Sequence, residues 1–166
     1  MNKKIIIVIV AVLVILGGYT VMTYNSLVSL NVDADAQWKQ VETNYQRRFD
    51  LIPNLIESAK GVMKQEQVVF TAISDARTRY SGASNVNDKA IAAGQVESAL
   101  SRLMVIVESY PTLKSSETVQ SMMSQLEGTE NRINVERMRF NDSVKLYNLK
   151  VMKVPSSIIA SIFGFK

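Results

Sequence analysis

The sequence predicts an all-α fold: an N-terminal transmembrane helix continuing into an antiparallel four-helix bundle, followed by a short C-terminal helix. Four observations predict this class. The chain begins with a long uncharged apolar run, and apolar residues beyond it recur at three- and four-residue intervals. Only 7 Gly and 3 Pro stand among 166 residues, so few positions interrupt a helix. No segment alternates apolar and polar residues as a half-buried strand does. We therefore expect long helices.

The N-terminal run is the strongest of these signals. No charged side chain occurs from Ile5 to Val32. The most apolar part, Ile5 to Met22, would measure about 27 Å as a helix at ~1.5 Å per residue, close to the ~30 Å hydrocarbon core of a bilayer. A cleaved signal peptide is the alternative, but small residues in the Ala-x-Ala-like arrangement of a cleavage site are missing after Leu16. The run therefore predicts a retained membrane anchor.

Charges on the two sides of the anchor predict its orientation. Lys3 and Lys4 precede it, whereas the first charges after it are Asp33 and Asp35. Basic residues favour the cytoplasmic side, so we expect a single-pass protein of the bacterial cytoplasmic (inner) membrane with its body outside the cytoplasm. The sequence thus predicts three segments: the cytoplasmic N-terminus and anchor (1–24), an extracytoplasmic bundle (25–154) and a short apolar C-terminal segment (155–166).

The helices after the anchor are delimited by prolines and by one polar turn. The first helix continues from the anchor, and we expect Pro53 to end it and to begin the second helix, because proline lacks an amide hydrogen and restricts the residue before it. The remaining boundaries are a turn at Ser81–Asn85, a third helix from about Asp88 to Ser109, a stop at Pro111, and a fourth helix from Ser115 or Ser116 to Pro155.

Composition excludes several kinds of chemistry. The chain has no Cys and no His, which removes disulfides, thiol nucleophiles, imidazole bases and the Glu-x-x-His pairs of di-iron bundles. Asp33 and Asp35 resemble the start of a calcium loop but lack its central glycine. The net charge is +4, and no basic run exceeds Arg47-Arg48. We expect no catalytic residue, no cofactor, no metal ion and no nucleic acid partner.

Charged residues inside the apolar stripes are the first candidate site. A buried charge needs a partner, so these residues are expected to form ion pairs between helices that fix their register, rather than a catalytic or metal centre. The proposed polar network consists of Arg47, Arg48, Asp50, Glu66, Arg77, Glu130 and Arg137.

A repeated aromatic-Asn pattern is the second candidate site. It occurs at Tyr24-Asn25, Phe140-Asn141 and Tyr147-Asn148, and the last two pairs are separated by one heptad. Simple packing with polar side chains that fix register is one interpretation. The other is a surface for self-assembly or for a partner helix, in which the contacts are made by Asn25, Asn141 and Asn148.

The C-terminal segment is the third candidate site, because it is too apolar for a solvated tail. In an up-down bundle the fourth helix returns toward the bilayer, so its end should lie near the lipid. A short interfacial helix would then place its apolar side chains in the membrane; these are Ile158, Ile159, Ile162, Phe163 and Phe165. The alternative is that the segment folds back onto the bundle as part of its core.

Several strings, in order from the anchor to the C-terminus, closely resemble the LemA family. They are Tyr24 to Leu30, Arg47 to Leu55 (RRFDLIPNL), Tyr110 to Leu113, Glu127 to Ile133 with Arg139 to Asp142, and Pro155 to Ala160 with Gly164-Phe165. One departure is Phe140, where the family more often has Tyr. The resemblance implies a bacterial single-pass membrane protein with an extracytoplasmic helical bundle and no established enzymatic activity. It also implies an association with membrane organisation and envelope proteases.

These observations favour a non-catalytic, membrane-anchored protein of the cell envelope that works by assembling. We expect it to contact the lipid bilayer and to form a homo-oligomer, acting as a scaffold. An adaptor or regulator of an envelope protease is the alternative, and an enzyme using only carboxylate, Arg or Lys groups is a third. A self-complementary surface would favour the scaffold, an apolar groove the adaptor, and a concave pocket with perturbed carboxylates the enzyme.

Overall fold

The computed structural model describes residues 3–60 and 67–166, and every regular element in those two ranges is a helix. The predicted all-α class is therefore confirmed, as is a long N-terminal helix that continues beyond the apolar run. The helices are α1 (Lys3–Lys60), α2 (Gln67–Gly82), α3 (Val86–Glu108), α4 (Pro111–Lys114), α5 (Glu117–Met152) and α6 (Ser156–Ile162).

The prediction that Pro53 ends the first helix is wrong, since α1 runs through Pro53 to Lys60. A proline inside a helix costs about 3 kcal/mol relative to alanine, because it loses a hydrogen bond and crowds the preceding turn. Burial on both sides of the proline offsets this cost: Phe49 and Ile52 precede it and Leu55 follows it on the same buried face, while Pro53 itself is exposed. Packing thus overrides the local preference.

The turn after α2 lies where the sequence predicts it. α2 ends at Gly82, and Asn85 caps α3 by accepting a hydrogen bond from the backbone N–H of Asp88 at 2.8 Å. Pro111 does follow the end of α3, but it also begins the short helix α4, which the sequence analysis does not predict. α4 packs against the protein through Leu113, whose side chain is buried.

The chain divides into two compact units. We call Met1–Lys39 with Glu136–Lys166 the terminal unit, and Gln40–Val135 the central unit. The predicted segment boundaries at residues 24 and 154 stay predictions.

The central unit is built from segments of four long helices. Aromatic contacts join α1 to α2, and ion pairs join α1 to α3 and to α5. The core consists of aliphatic side chains that are almost completely buried: Val41, Ile52, Leu55, Ile73, Val96, Leu100, Leu103, Val107, Leu126 and Ile133. These residues include the stripes that the three- and four-residue spacing predicts.

The terminal unit contains the apolar beginning of α1, the end of α5 and α6. Trp38 of α1 packs against Phe140 of α5, with ring centroids 5.2 Å apart. In the described part of the chain two helices are long and apolar enough to cross a membrane by length and composition, α1 and α3. The most apolar window of α1 is not buried at all, whereas 39% of that of α3 is buried inside the protein.

Candidate functional site

An ion pair between α1 and α5 is largely buried in the central unit. The guanidinium Nη1 of Arg48 donates to Oε2 of Glu130. The side chain of Arg48 is only 6% exposed, and that of Glu130 is 25% exposed. Each charge therefore has a partner where water is scarce, as the sequence analysis expects for charged residues within apolar stripes.

A cavity of about 390 Å³ opens beside this ion pair. Arg48 and Glu130 line it together with Glu97 and Ser101 of α3, so three helices converge there. The Nε of Arg48 is buried without a hydrogen-bond partner among the described residues. The Arg48 cation is thus held against α5 by the Glu130 carboxylate, an arrangement suited to fixing the register of α1 against α5.

The adjacent residue Arg47 has a different environment. Arg47 and Asp50 are exposed, and Oδ1 of Asp50 accepts a hydrogen bond from Nε2 of Gln46 at 2.8 Å. They line a shallow groove on the surface with Arg132 of α5. Because successive helical residues point about 100° apart, Arg48 lies in the core and its neighbour Arg47 lies on the surface.

Arg77 and Arg137 of the predicted network do not join this ion pair in the described part of the chain. Arg77 is partly exposed and Arg137 is exposed, so neither lies inside a core. Glu66 lies outside the described residues. The structure therefore brings together Arg48 and Glu130 from the predicted set.

An aromatic cluster beside a second ion pair was not predicted as a site. The Tyr80 ring of α2 lies 4.8 Å from that of Phe49 and 5.6 Å from that of Tyr45, both on α1. Next to it Lys89 of α3 donates to Oε1 of Glu42, and the Nζ of Lys89 lies 5.9 Å from the centre of the Tyr80 ring. The Tyr45 and Phe49 spacing signals one aromatic face of α1, but nothing in the sequence links Glu42 to Lys89.

The Tyr80 hydroxyl has an unusual environment. Burial raises its pKa well above the ordinary value, and the negative charge of Glu42 and the neighbouring Tyr45 raise it further. The hydroxyl oxygen has no hydrogen-bond partner among the described residues. Tyr80 is therefore a neutral packing residue over the physiological pH range.

An open groove runs between α2 and α3 in the central unit. It has a volume of about 710 Å³, and Val69, Val105 and Ile106 provide its apolar lining. Gly94 and Ser98 form part of the wall from α3, and a side-chain carbon placed on Gly94 would meet nothing within 4 Å. Glu97 and Arg102 also line the groove, so its lining combines apolar and charged side chains.

All three asparagines of the repeated pattern lie exposed in the terminal unit. Asn25 is on α1, and Asn141 and Asn148 are two turns apart on α5. Their aromatic neighbours differ, since Tyr147 is buried and Phe140 is partly exposed. The aromatic rings face inward and the amides face outward on α5.

Exposed apolar side chains lie along the same part of α5. We call Met138, Leu146 and Leu149 the α5 row; they are 60%, 56% and 40% exposed and occur at helical spacing. The sequence analysis does not single out these leucines, because an apolar residue on a helix is usually interpreted as part of the core.

The C-terminal segment packs on α1 with one side only. Ile158, Ile162 and Phe163 are exposed and Phe165 is partly exposed, as an apolar surface requires. Ile159 is different: it is buried with Ala160, whereas Ile158 and Ile162 are exposed and lie about 100° and about 60° around α6 from it. The structure therefore removes Ile159 from the predicted lipid-facing set.

No group of three or more carboxylates close enough to hold a metal ion occurs in residues 3–60 and 67–166. The absence of cofactors and metals stays a prediction.

Comparison with known proteins gives a consistent result. The profile of the LemA family matches residues 37–166. The chain is 33% identical over 171 residues to magnetosome protein MamQ of Magnetospirillum gryphiswaldense, and 31% identical to magnetosome proteins MamQ 1 and MamQ 2 of Paramagnetospirillum magneticum. Each alignment covers 87% of this chain and 63% of the relative, so the chain spans less than two thirds of the relatives' length.

Proposed function

Because this chain belongs to the LemA family, as its sequence strings predict, we propose that it is a non-catalytic single-pass membrane protein that assembles with copies of itself. In this proposal α1 spans the bacterial cytoplasmic membrane, the N-terminus stays in the cytoplasm and the protein acts as a scaffold of the cell envelope. The exposed apolar beginning of α1 and the basic Lys3 and Lys4 before it support this topology.

The α5 row is the observation that carries the self-assembly proposal. Its three side chains are more than one third exposed, although leucine and methionine are normally buried. An exposed apolar face on a folded helix is typical of a surface that another protein covers. We infer that this face is covered in the assembled state.

A second copy of the chain is the occupant that best fits this face. Anchoring in one membrane confines identical chains to two dimensions, which raises their effective concentration. The exposed Asn141 and Asn148 beside the row each carry a donor and an acceptor, so identical amides can pair with one another across a symmetric interface. Acidic and basic residues also alternate there, from Glu136 and Arg139 to Asp142 and Lys145, which avoids a repulsive charge on either copy.

Cysteine cross-linking in native membranes tests this proposal. The chain has no Cys, so Leu146→Cys provides a single reactive position. We expect a short bis-maleimide to give a covalent dimer from Leu146→Cys and none from Asn54→Cys, an exposed position on α1 of the central unit. Equal, low yields from both variants would contradict self-assembly through the α5 row.

An adaptor for an envelope protease is the second candidate function, and the groove between α2 and α3 favours it. An extended or helical segment of a partner could bury Val105, which is 66% exposed, and Val69 in this groove. Cross-linking from Val105→Cys distinguishes the two functions. A product with a second protein and no dimer from Leu146→Cys would favour the adaptor over the scaffold.

Protease added to intact spheroplasts tests the orientation. We expect the region after α1's apolar run to be digested, because the basic residues before that run favour a cytoplasmic N-terminus. Full protection in intact spheroplasts, with digestion after lysis, would contradict the proposed orientation.

A further inference from the structure

The C-terminal segment is fixed to α1 at a specific height. The ring of Tyr24 packs edge-on against Phe163, with centroids 5.0 Å apart, and against Phe165 at 5.6 Å. Both contacts lie within the terminal unit. Tyr24 follows Met22, the last residue of the apolar run that is long enough to span a bilayer. The segment therefore lies beside the end of that run.

The junction between α5 and α6 holds the segment in this position. The Ser156 hydroxyl is buried, and its oxygen lies 2.6 Å from the carbonyl oxygen of Lys150 and 2.7 Å from that of Lys153. The one hydroxyl proton is shared between the Lys150 carbonyl, in the last turn of α5, and the Lys153 carbonyl, which also accepts from the backbone N–H of Ser157 at 2.8 Å. Ile159 and Ala160 are buried on the same side of α6.

The opposite side of the segment is apolar and uncovered. We call its exposed side chains the collar: Met152, Val154, Ile158 and Ile162, which are 58–79% exposed. Lys150 and Lys166 flank this stretch in the sequence, and Lys153 lies near its beginning, between Met152 and Val154. An apolar face with lysines at its edges is the composition of a helix that lies in a membrane interface.

The height and the composition point to the same occupant. Tyr24 is two residues beyond Met22, about 3 Å along the axis at ~1.5 Å per residue, which is within the interfacial layer if Ile5 to Met22 fills the hydrocarbon core. Interfacial helices bury their apolar face about 5–10 Å into the boundary between headgroups and acyl chains. At that height the collar meets lipid without any further movement of the chain.

We propose that the collar inserts into the outer leaflet of the bilayer that α1 spans, with the three lysines at the phosphate level. The protein then has two membrane contacts, one spanning and one interfacial, and Tyr24 joins them. This inference rests on the proposed anchor but not on self-assembly. The interfacial contact restrains the tilt of α1, because α1 can no longer rotate away from the normal without withdrawing the collar from the lipid.

Depth-dependent quenching in vesicles tests the proposal. The full-length chain is reconstituted into phosphatidylethanolamine and phosphatidylglycerol vesicles, and a bimane fluorophore is attached to Ile162→Cys. Met138→Cys is the matched control, because it is 60% exposed in the same unit but about 21 Å along α5 from Met152 at ~1.5 Å per residue. We expect brominated acyl chains to remove most of the emission at position 162 and little at position 138.

Three results would overturn the proposal. Quenching at position 162 by aqueous iodide but not by brominated lipid would place the collar in water. Dipolar broadening between nitroxides at position 162, without quenching by lipid, would show that a second copy covers the collar. A chain that does not float with the vesicles would contradict the anchor as well, whereas a floating chain with an unquenched probe would contradict the collar alone. Ile158→Cys repeats the measurement in case one substitution disturbs α6.

Discussion

Removal of the Glu130 carboxylate is the perturbation whose size follows most directly from the structure. Glu130→Ala leaves the Arg48 guanidinium, in a side chain only 6% exposed, without the carboxylate to which it donates. Loss of one partner from a fully buried ion pair costs about 3–5 kcal/mol, because the remaining charge is neither paired nor hydrated. Glu130 is 25% exposed, so some water reaches the site, and we expect about 3 kcal/mol, the lower end of that range.

Removal of the other partner, Arg48, is expected to cost less. Arg48→Met preserves most of the apolar stem and leaves Glu130, which can turn toward solvent. The double variant should be less destabilised than the sum of the two single variants, by about 1–3 kcal/mol, because the contact can be lost only once. A loss smaller than the sum indicates an ion pair, whereas losses that add up would indicate two independent packing effects.

Thermal unfolding followed by circular dichroism in mild detergent measures these differences. At roughly 2–4 °C per kcal/mol for a chain of this size, a loss of about 3 kcal/mol lowers Tm by about 6–12 °C. Arg47→Met is the matched control, since its side chain is exposed and the change should stay within about 0.5 kcal/mol. If Glu130→Ala and Arg47→Met both leave Tm unchanged, the buried ion pair does not stabilise the protein and the reasoning fails.

Three further substitutions test other parts of the fold. Pro53→Ala should stabilise the protein by about 2 kcal/mol in urea unfolding, since it restores a helical hydrogen bond worth more than the lost rigidity of the unfolded chain; no gain would mean that α1 is broken at Pro53. Tyr80→Phe should change stability by less than about 0.5 kcal/mol at neutral pH, because the hydroxyl has no partner among the described residues. The pKa of Tyr80 is raised in the folded state, so the natural protein should lose stability as the pH rises above 10.0, the ordinary pKa of a tyrosine. Tyr80→Phe should lose less stability over the same pH range. Equal losses in urea unfolding would contradict the raised pKa. Phe140→Ala should cost about 3 kcal/mol and shift the emission of Trp38, the one tryptophan, to longer wavelength; an unchanged spectrum would contradict the Trp38–Phe140 contact.

The sequence predicts the helices well where periodicity and capping agree. Asn85 and Pro111 mark boundaries that the structure confirms, because a cap and a missing amide act locally. Pro53 is the counterexample: its local effect is outweighed by the burial of Phe49, Ile52 and Leu55 around it. Local signals therefore fail where a buried face continues past them.

The candidate site is less predictable, because partners are chosen by packing between distant segments. The sequence singles out Arg48 and Glu130 as charges in apolar stripes, but it also includes Arg137, which the structure leaves exposed. A stripe on a helical wheel is wide enough that its edge can face either the core or the solvent. Glu42 and Lys89 are 47 residues apart and carry no sequence signal of their contact.

The mass of the full-length protein in its native lipid tests self-assembly most directly. The chain is 18.5 kDa, and we expect particles extracted in native lipid nanodiscs to contain a discrete multiple of that mass. Leu146→Lys should reduce the particles to single chains, because a charge in the α5 row cannot be buried against a second copy, whereas Asn54→Lys should leave their mass unchanged. A natural protein that is strictly monomeric in both mild detergent and native lipid would contradict the scaffold.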